Sequence, residues 1–309
     1  MLKLIYNEWI KIFSRKGTYV MIGFLVVAVI GFGTILKTHG VGEADPNWQK
    51  GLIGQNEEMK KELKDPDMSD LKESLEESIA INEYRLEHDI SDQYSMWKFV
   101  EKNTLMISFV GLFVITIAAG IVASEFNWGT IKLLVIRPVS RFKILLSKYL
   151  TVLLFALSLL LILFITSGVS GLVLFGPGDG SETYLTYVNG SVQEHNLLLY
   201  LIQYYLLDSI SIMMLATMAF MISAVFRNSL IAVGISMFLL FSGPMMTKLL
   251  SIFDWGKYFL FANTDLTVYF YGNPPEGMTL GFSVAILAIY FVIFHLLAFS
   301  VFSKRDIAS

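Results

Sequence analysis

Six long apolar runs in a chain of 309 residues constrain its fold more than anything else in the sequence. Crossing about 30 Å of hydrocarbon at 1.5 Å per residue takes about 20 mostly apolar residues. Runs of that order lie at 19–36, 104–123, 145–175, 197–226, 230–250 and 280–302. Lipid cannot satisfy open strand edges, so each run is expected to be a helix. None carries the alternating ten-residue pattern of a membrane barrel. The expected fold class is an all-α integral membrane protein with six transmembrane helices. Composition agrees: 16% of residues are charged, against about 25% in soluble domains.

The scarce charges set the orientation. Residues 1–18, the 124–144 segment with Lys148 just beyond it, Arg227 and the 303–309 tail fall on one side of the membrane. Together they hold 12 Lys and Arg against 3 Asp and Glu, while the opposite side holds 11 against 22. Basic loops stay inside, so both termini are expected in the cytoplasm. The first run could be read as a signal peptide, but it is 18 residues long and no A-x-A-like site follows it. It is expected to remain as the first span. A net charge of −3 offers no case for nucleic acid, and zero cysteines exclude disulfides, thiolate metal sites and a cysteine nucleophile. Four scattered histidines have no ligand spacing, so no metal site is expected.

Outside the bilayer, residues 1–18 read as an interfacial helix. Leu2, Ile5, Tyr6, Trp9 and Phe13 share one face, and Lys3, Asn7, Lys11, Ser14 and Arg15 the other. The plainer alternative is the opening turns of the first span. Residues 37–103 carry 16 acidic and 9 basic residues and read as a helical hairpin on the outer face. One arm is 48–64; the other follows Pro66, with Asp67 and Ser69 available as caps. This insertion is either a cap or docking element over a pathway, or a solvated spacer. Residues 176–196 form an outer loop without Lys or Arg. The aromatic-rich loop 251–279 suits partial re-entry into the membrane, although an ordinary aromatic belt explains some of its rings.

The most informative stretch is 124–144. It begins Ser124-Glu125-Phe126-Asn127-Trp128-Gly129-Thr130 and reaches Arg137-Pro138-Val139-Ser140-Arg141, with Lys148 beyond. Ser124 or Asn127 can cap a short helix that Pro138 stops. Ile131, Leu134 and Val135 give it an apolar face, and Lys132, Arg137 and Arg141 supply cations. Such a helix could lie in a groove on a cytosolic partner or rest on lipid with its cations snorkelling. Glu125, Gly129-Thr130, Lys132-Leu133-Leu134, Arg137-Pro138, Ser140-Arg141 and Lys148 resemble the E-x3-GT-x-K-x-L-x2-R-P-x-SR-x6-K pattern of ABC-2 type ABC-transporter permeases. An N-terminal elbow helix, six spans and a helical outer insertion are similar to permeases of Gram-positive bacteria.

The resemblance implies that Gly129–Arg137 is a coupling helix docking on a separate cytosolic ATPase, with Glu125 and Arg141 bracketing the contact. Thr130, Lys132, Leu133, Leu134 and Pro138 would then lie in or beside that surface. It also implies a bacterial plasma membrane location, two ATPase subunits, and a second permease copy or related permease. The sequence has no G-x4-G-K-S/T phosphate loop. No cofactor is expected on this chain, and ATP and magnesium would belong to the partner.

Within the spans, Asp208 is the only acid well inside the membrane, where a carboxylate costs about 2.5–3.5 kcal/mol. With Gln203 it is a candidate pathway or dimer-interface residue, or it is simply hydrogen-bonded to Ser209 or Ser211. Ser242-Gly243-Pro244 should kink or break the fifth span, as a hinge or as a static bend. Gly168-Val169-Ser170-Gly171 matches the G-x-S-G of rhomboid proteases. However, Ser170 and His295 differ in expected depth by about 15 Å, far beyond the about 3 Å that a nucleophile and its base need. The function expected is export of an amphipathic peptide or drug-like substrate. The alternative is an ATPase-coupled sensor that does not transport.

Overall fold

The computed structural model describes residues 1–40, 47–65, 71–91, 94–130, 139–178, 182–188, 190–226 and 228–304. Two helices open the chain, α1 (Leu2–Phe13) and α2 (Lys16–Thr38). Then come α3 (Trp48–Glu62), α4 (Lys72–Glu87) and α5 (Met96–Lys102). A 3-10 turn at Asn103–Met106 leads from α5 into α6 (Ile107–Asn127). Next are α7 (Arg141–Phe175), the hairpin β1 (Thr183–Val188) and β2 (Ser191–Asn196), and α8 (Leu197–Phe226). The chain closes with α9 (Ser229–Leu250), the single turn α10 (Val268–Tyr271) and α11 (Leu280–Lys304). Among the described residues, six helical runs are long and apolar enough to span a bilayer, namely α2, Met96–Asn127, α7, α8, α9 and α11. The chain is a mostly helical, multi-pass membrane protein.

The bundle has an inside and an outside. In α6 and α8, 61% of the most apolar stretch is buried, against 17% in α2, α9 and α11. Helix α6 packs most heavily on α8, then on α9 and α7. Small residues on α6 allow this: Ala118, Ala119 and Ala123 are fully buried. Ser223 of α8 accepts hydrogen bonds from the Ala123 and Val122 amides at 3.0 and 3.3 Å. On α2, α9 and α11 the apolar side chains that find no protein, such as Val27, Phe241 and Leu296, face outward, as helices against lipid tails do.

Beyond the bundle, α3 and α4 pack as the expected antiparallel hairpin. Gln49 donates to Asp89 at 2.9 Å, Asn82 to Asn56 at 2.9 Å, and Lys60 to Glu83 at 2.6 Å. The candidate caps Asp67 and Ser69 lie outside the described residues.

The 176–196 loop differs from expectation, because it holds the antiparallel β1–β2 hairpin. Its first strand, Thr-Tyr-Leu-Thr-Tyr-Val, is rich in β-branched and aromatic residues. Gly190 turns it with φ of +79°, a backbone state that suits glycine in tight hairpin turns.

The second difference concerns the fifth span. Helix α9 runs unbroken through Pro244, so of the expected kink or break the break does not occur. Gly243 is buried there, and a Cβ on it would stand 2.3 Å from the Phe261 ring. That glycine makes room for an aromatic.

The loop 251–279 folds back on the bundle through 3-10 turns at Asp254–Tyr258 and Leu260–Asn263. Asn263, fully buried, donates to the Lys257 and Phe259 carbonyls at 2.8 Å and accepts from Ser283 at 2.8 Å.

Candidate functional site

One end of the bundle gathers α1, the last turn of α6, the first turns of α7 and the end of α11. Helix α1 divides into three sectors at 100° per residue. Glu8 and Ile12 are buried against the bundle, with Leu4 and Ile5 half-buried beside them. Leu2, Tyr6 and Ile10 form an exposed apolar sector, 83%, 66% and 44% accessible. Lys3, Asn7 and Ser14 make the polar remainder. The protein-facing stripe is thus rotated from the simple two-sided reading, and it carries an acid at its centre.

That acid belongs to a ring of four charges. Lys148 of α7, its side chain 1% exposed, donates to Glu8 at 2.7 Å and to Glu125 of α6 at 2.9 Å. Lys11, half-exposed at the rim, donates to the same two carboxylates, each at 2.9 Å. The second Glu125 oxygen accepts from the Thr130 hydroxyl. All four carboxylate oxygens therefore accept a hydrogen bond, and two acids face two bases. This is the condition under which buried charges are tolerated, since the loss of either partner leaves an uncompensated ion. Burial works against the charge on Lys11, but Glu125 and Glu8 outweigh it and hold its pKa above the ordinary value.

Neighbouring contacts tie the same elements together. Phe13 of α1 meets Phe155 of α7 edge-on, ring centroids 6.2 Å apart. The Thr18 hydroxyl donates to the Ile12 carbonyl at 2.5 Å and fixes the bend between α1 and α2. Arg15 lies 5.4 Å over the Trp128 ring. Arg141 opens α7, whose N-cap Ser140 accepts from the Lys143 amide at 3.4 Å, and donates to the Ser303 carbonyl of α11 at 3.0 Å.

Of the residues singled out for docking, the structure brings Glu125 and Thr130 into the ring. It leaves Gly129 exposed in a left-handed turn with φ of +69°, and it ties Arg141 to α11. Lys132, Leu133, Leu134, Arg137 and Pro138 lie outside the described residues. Glu8, Lys11 and Lys148 hold places in the ring that the sequence reading did not assign, although Lys148 closes the quoted pattern. The signal was present: Glu8 is a lone acid between apolar Leu4 and Ile12, and Lys148 is the last base of a helix that is apolar from there to its end.

The membrane candidates lie elsewhere. Asp208 is half-buried on α8, and its two proposed hydroxyl partners bond to other groups. Ser209 donates to the Leu206 carbonyl at 2.6 Å, and Ser211 donates to the Thr264 carbonyl. Gln203 accepts from Tyr271 at the opposite end of the bundle, beside the stacked rings of Tyr184 and Tyr200. His295 shares a hydrogen bond with the Phe291 carbonyl of its own helix at 2.9 Å and packs edge-on against Tyr149.

The model of the family described as "Protein of unknown function (DUF2705)" matches residues 75–308. Over 316 aligned positions the chain is 54% identical to the uncharacterized protein YhcI of Bacillus subtilis (strain 168), and both chains are covered in full. It is also 36% identical over 197 residues to the uncharacterized membrane protein YdbK of the same organism. That match covers 62% of this chain and 76% of the relative.

Proposed function

The chain belongs to the DUF2705 family, and we propose that it is the membrane-spanning subunit of an ATP-driven exporter of the ABC-2 type, powered by separate ATPase subunits. The observation that carries this reading is the charge ring. It joins the last turn of α6, where the 129–137 segment begins, to α1 and α7 through Glu125, Glu8, Lys11 and Lys148. A push on that segment by a closing ATPase pair would reach three elements at once, because the ring's short, shared bonds leave little slack. Gly129 and Trp128 stand exposed where such a partner would meet the chain.

In this reading the basic, ring-bearing end faces the cytoplasm with both termini, and the β1–β2 and α3–α4 hairpins face outward. The three sectors of α1 support an interfacial position: protein on one side, lipid against Leu2, Tyr6 and Ile10, water at Lys3 and Asn7. A second copy or a related permease completes the transporter, and the cargo is an amphipathic peptide or drug-like molecule. ATP and magnesium are held by the partner.

Replacing the Gly129–Arg137 surface with acidic residues tests the docking. The expected result is that a co-expressed ATPase no longer co-purifies while the variant still inserts in the membrane at normal abundance. Undiminished co-purification would overturn the reading.

A further inference from the structure

At the end of the bundle opposite the charge ring, α4, α5 and the β1–β2 hairpin enclose a recess of about 910 Å³. Arg85, Lys98, Glu101, Glu182, Tyr184 and Glu194 are among the residues that line it. The volume is that of a small-molecule or short-peptide site, but the wall is far more polar than packing alone requires.

Its two sides differ in charge. On the helical side Glu101 stands between Lys102 at 3.4 Å and Lys98 at 3.7 Å, and with Arg85 and Asp89 that wall keeps one more cation than acid. On the hairpin side the charged residues are all acids. Glu182 accepts from the Ser95 hydroxyl at 2.5 Å, and Glu194 accepts from Tyr84 at 3.1 Å. Neither carboxylate has a cation in ion-pair range among the described residues. One oxygen of Glu101, wholly buried, also lacks a hydrogen bond. A carboxylate that accepts only from a hydroxyl among the described residues keeps most of its capacity to accept from a ligand. The Tyr184 ring, stacked on Tyr200 at 3.6 Å, adds an aromatic wall of the kind that attracts cations. The surrounding surface reinforces this, since residues 37–103 carry 16 acids to 9 bases.

We propose that this recess is a binding site for a cationic ligand of short-peptide size, whose basic groups meet Glu182 and Glu194 and whose aromatic or apolar part lies on Tyr184. Its position on the outer face rests on the orientation proposed above. Binding itself requires neither that orientation nor an ATPase, so the two readings can fail separately.

The test uses the full chain in nanodiscs of neutral lipid and two capped tripeptides, Lys-Tyr-Lys and Glu-Tyr-Glu, followed by calorimetry and tryptophan fluorescence. Calorimetry is the deciding readout, since Trp97 packs beside Val100 and Tyr200 and is one of five tryptophans. Lys-Tyr-Lys is expected to bind at least about tenfold more tightly than Glu-Tyr-Glu. The double variant Glu182→Gln/Glu194→Gln should abolish most of that preference. Glutamine keeps an acceptor for Ser95 and Tyr84, so the hairpin stays attached. The charge-matched control Glu57→Gln/Glu58→Gln, on exposed positions of α3, should leave binding within about twofold. Three results would each overturn the site: equal affinity for both tripeptides, no effect of the Glu182/Glu194 variant, or an equal effect of the control.

Discussion

Lys148 shows how far a single buried charge can dictate its surroundings. Its ammonium lies beyond the reach of water, and two carboxylates from different helices hold it there. Lys148→Met is expected to cost about 3–5 kcal/mol, because Glu8 and Glu125 are left with only Lys11 between them. The measurement is thermal unfolding of the purified protein in detergent. Combining it with Glu125→Gln should recover part of the loss, since one charge of each sign is then gone. A coupling of about 0.5–3 kcal/mol between the two positions is the expected outcome, and strict additivity would remove the ring as a unit. The sequence reveals each of these residues as an oddity, one charge on an apolar face. It does not reveal the pairing, because Glu8 and Lys148 are separated by 140 positions and only the packing of α1 on α7 brings them together.

Elements were legible in proportion to their length and periodicity. The fourth run, 197–226, coincides with α8 to the residue, and the others agree within a few positions apart from the second, which begins earlier. That second span starts at Met96 because the polar turn Lys98, Glu101 and Lys102 hides the helix from a hydropathy scan while Ser95 caps it. The β hairpin escaped notice because six-residue strands in a short polar loop leave little pattern against six dominant helices.

Gly243, a hinge candidate beside Pro244, is packed so closely on Phe261 that a side chain has no room there. Gly243→Ala should therefore lower the melting temperature in detergent by several degrees, as its methyl group meets the Phe261 ring. Phe261→Leu in the same chain should restore much of it. If the alanine variant melts like the wild type, α9 and the 260–263 turn are not packed as described.

For the whole molecule, the sequence's most useful property was the uneven spread of its few charges. Among the described residues, Lys3, Lys11, Arg15, Lys16, Arg141, Lys143 and Lys304 lie on the elements gathered at the ring end. The absence of cysteine makes orientation directly measurable by single-site labelling. Gln55→Cys on α3 is expected to react with a membrane-impermeant maleimide in intact cells. Ser140→Cys, exposed at the N-cap of α7, is expected to react only after the membrane is opened. The reverse pattern would invert the topology and with it the proposed ATPase-facing end.

The ring also carries a consequence for how the protein is made. Glu8 and Glu125 are synthesised and threaded into the membrane before residue 148 exists. Until the third span emerges, only Lys11 is available to neutralise two acids. The first two spans therefore cannot settle as a finished pair, and α1 stays loosely held while the chain grows. Arrival of Lys148 closes the ring and locks three segments together in one step. A nascent chain that stops short of that position differs from a complete one in the pairing of its buried charges as well as in length.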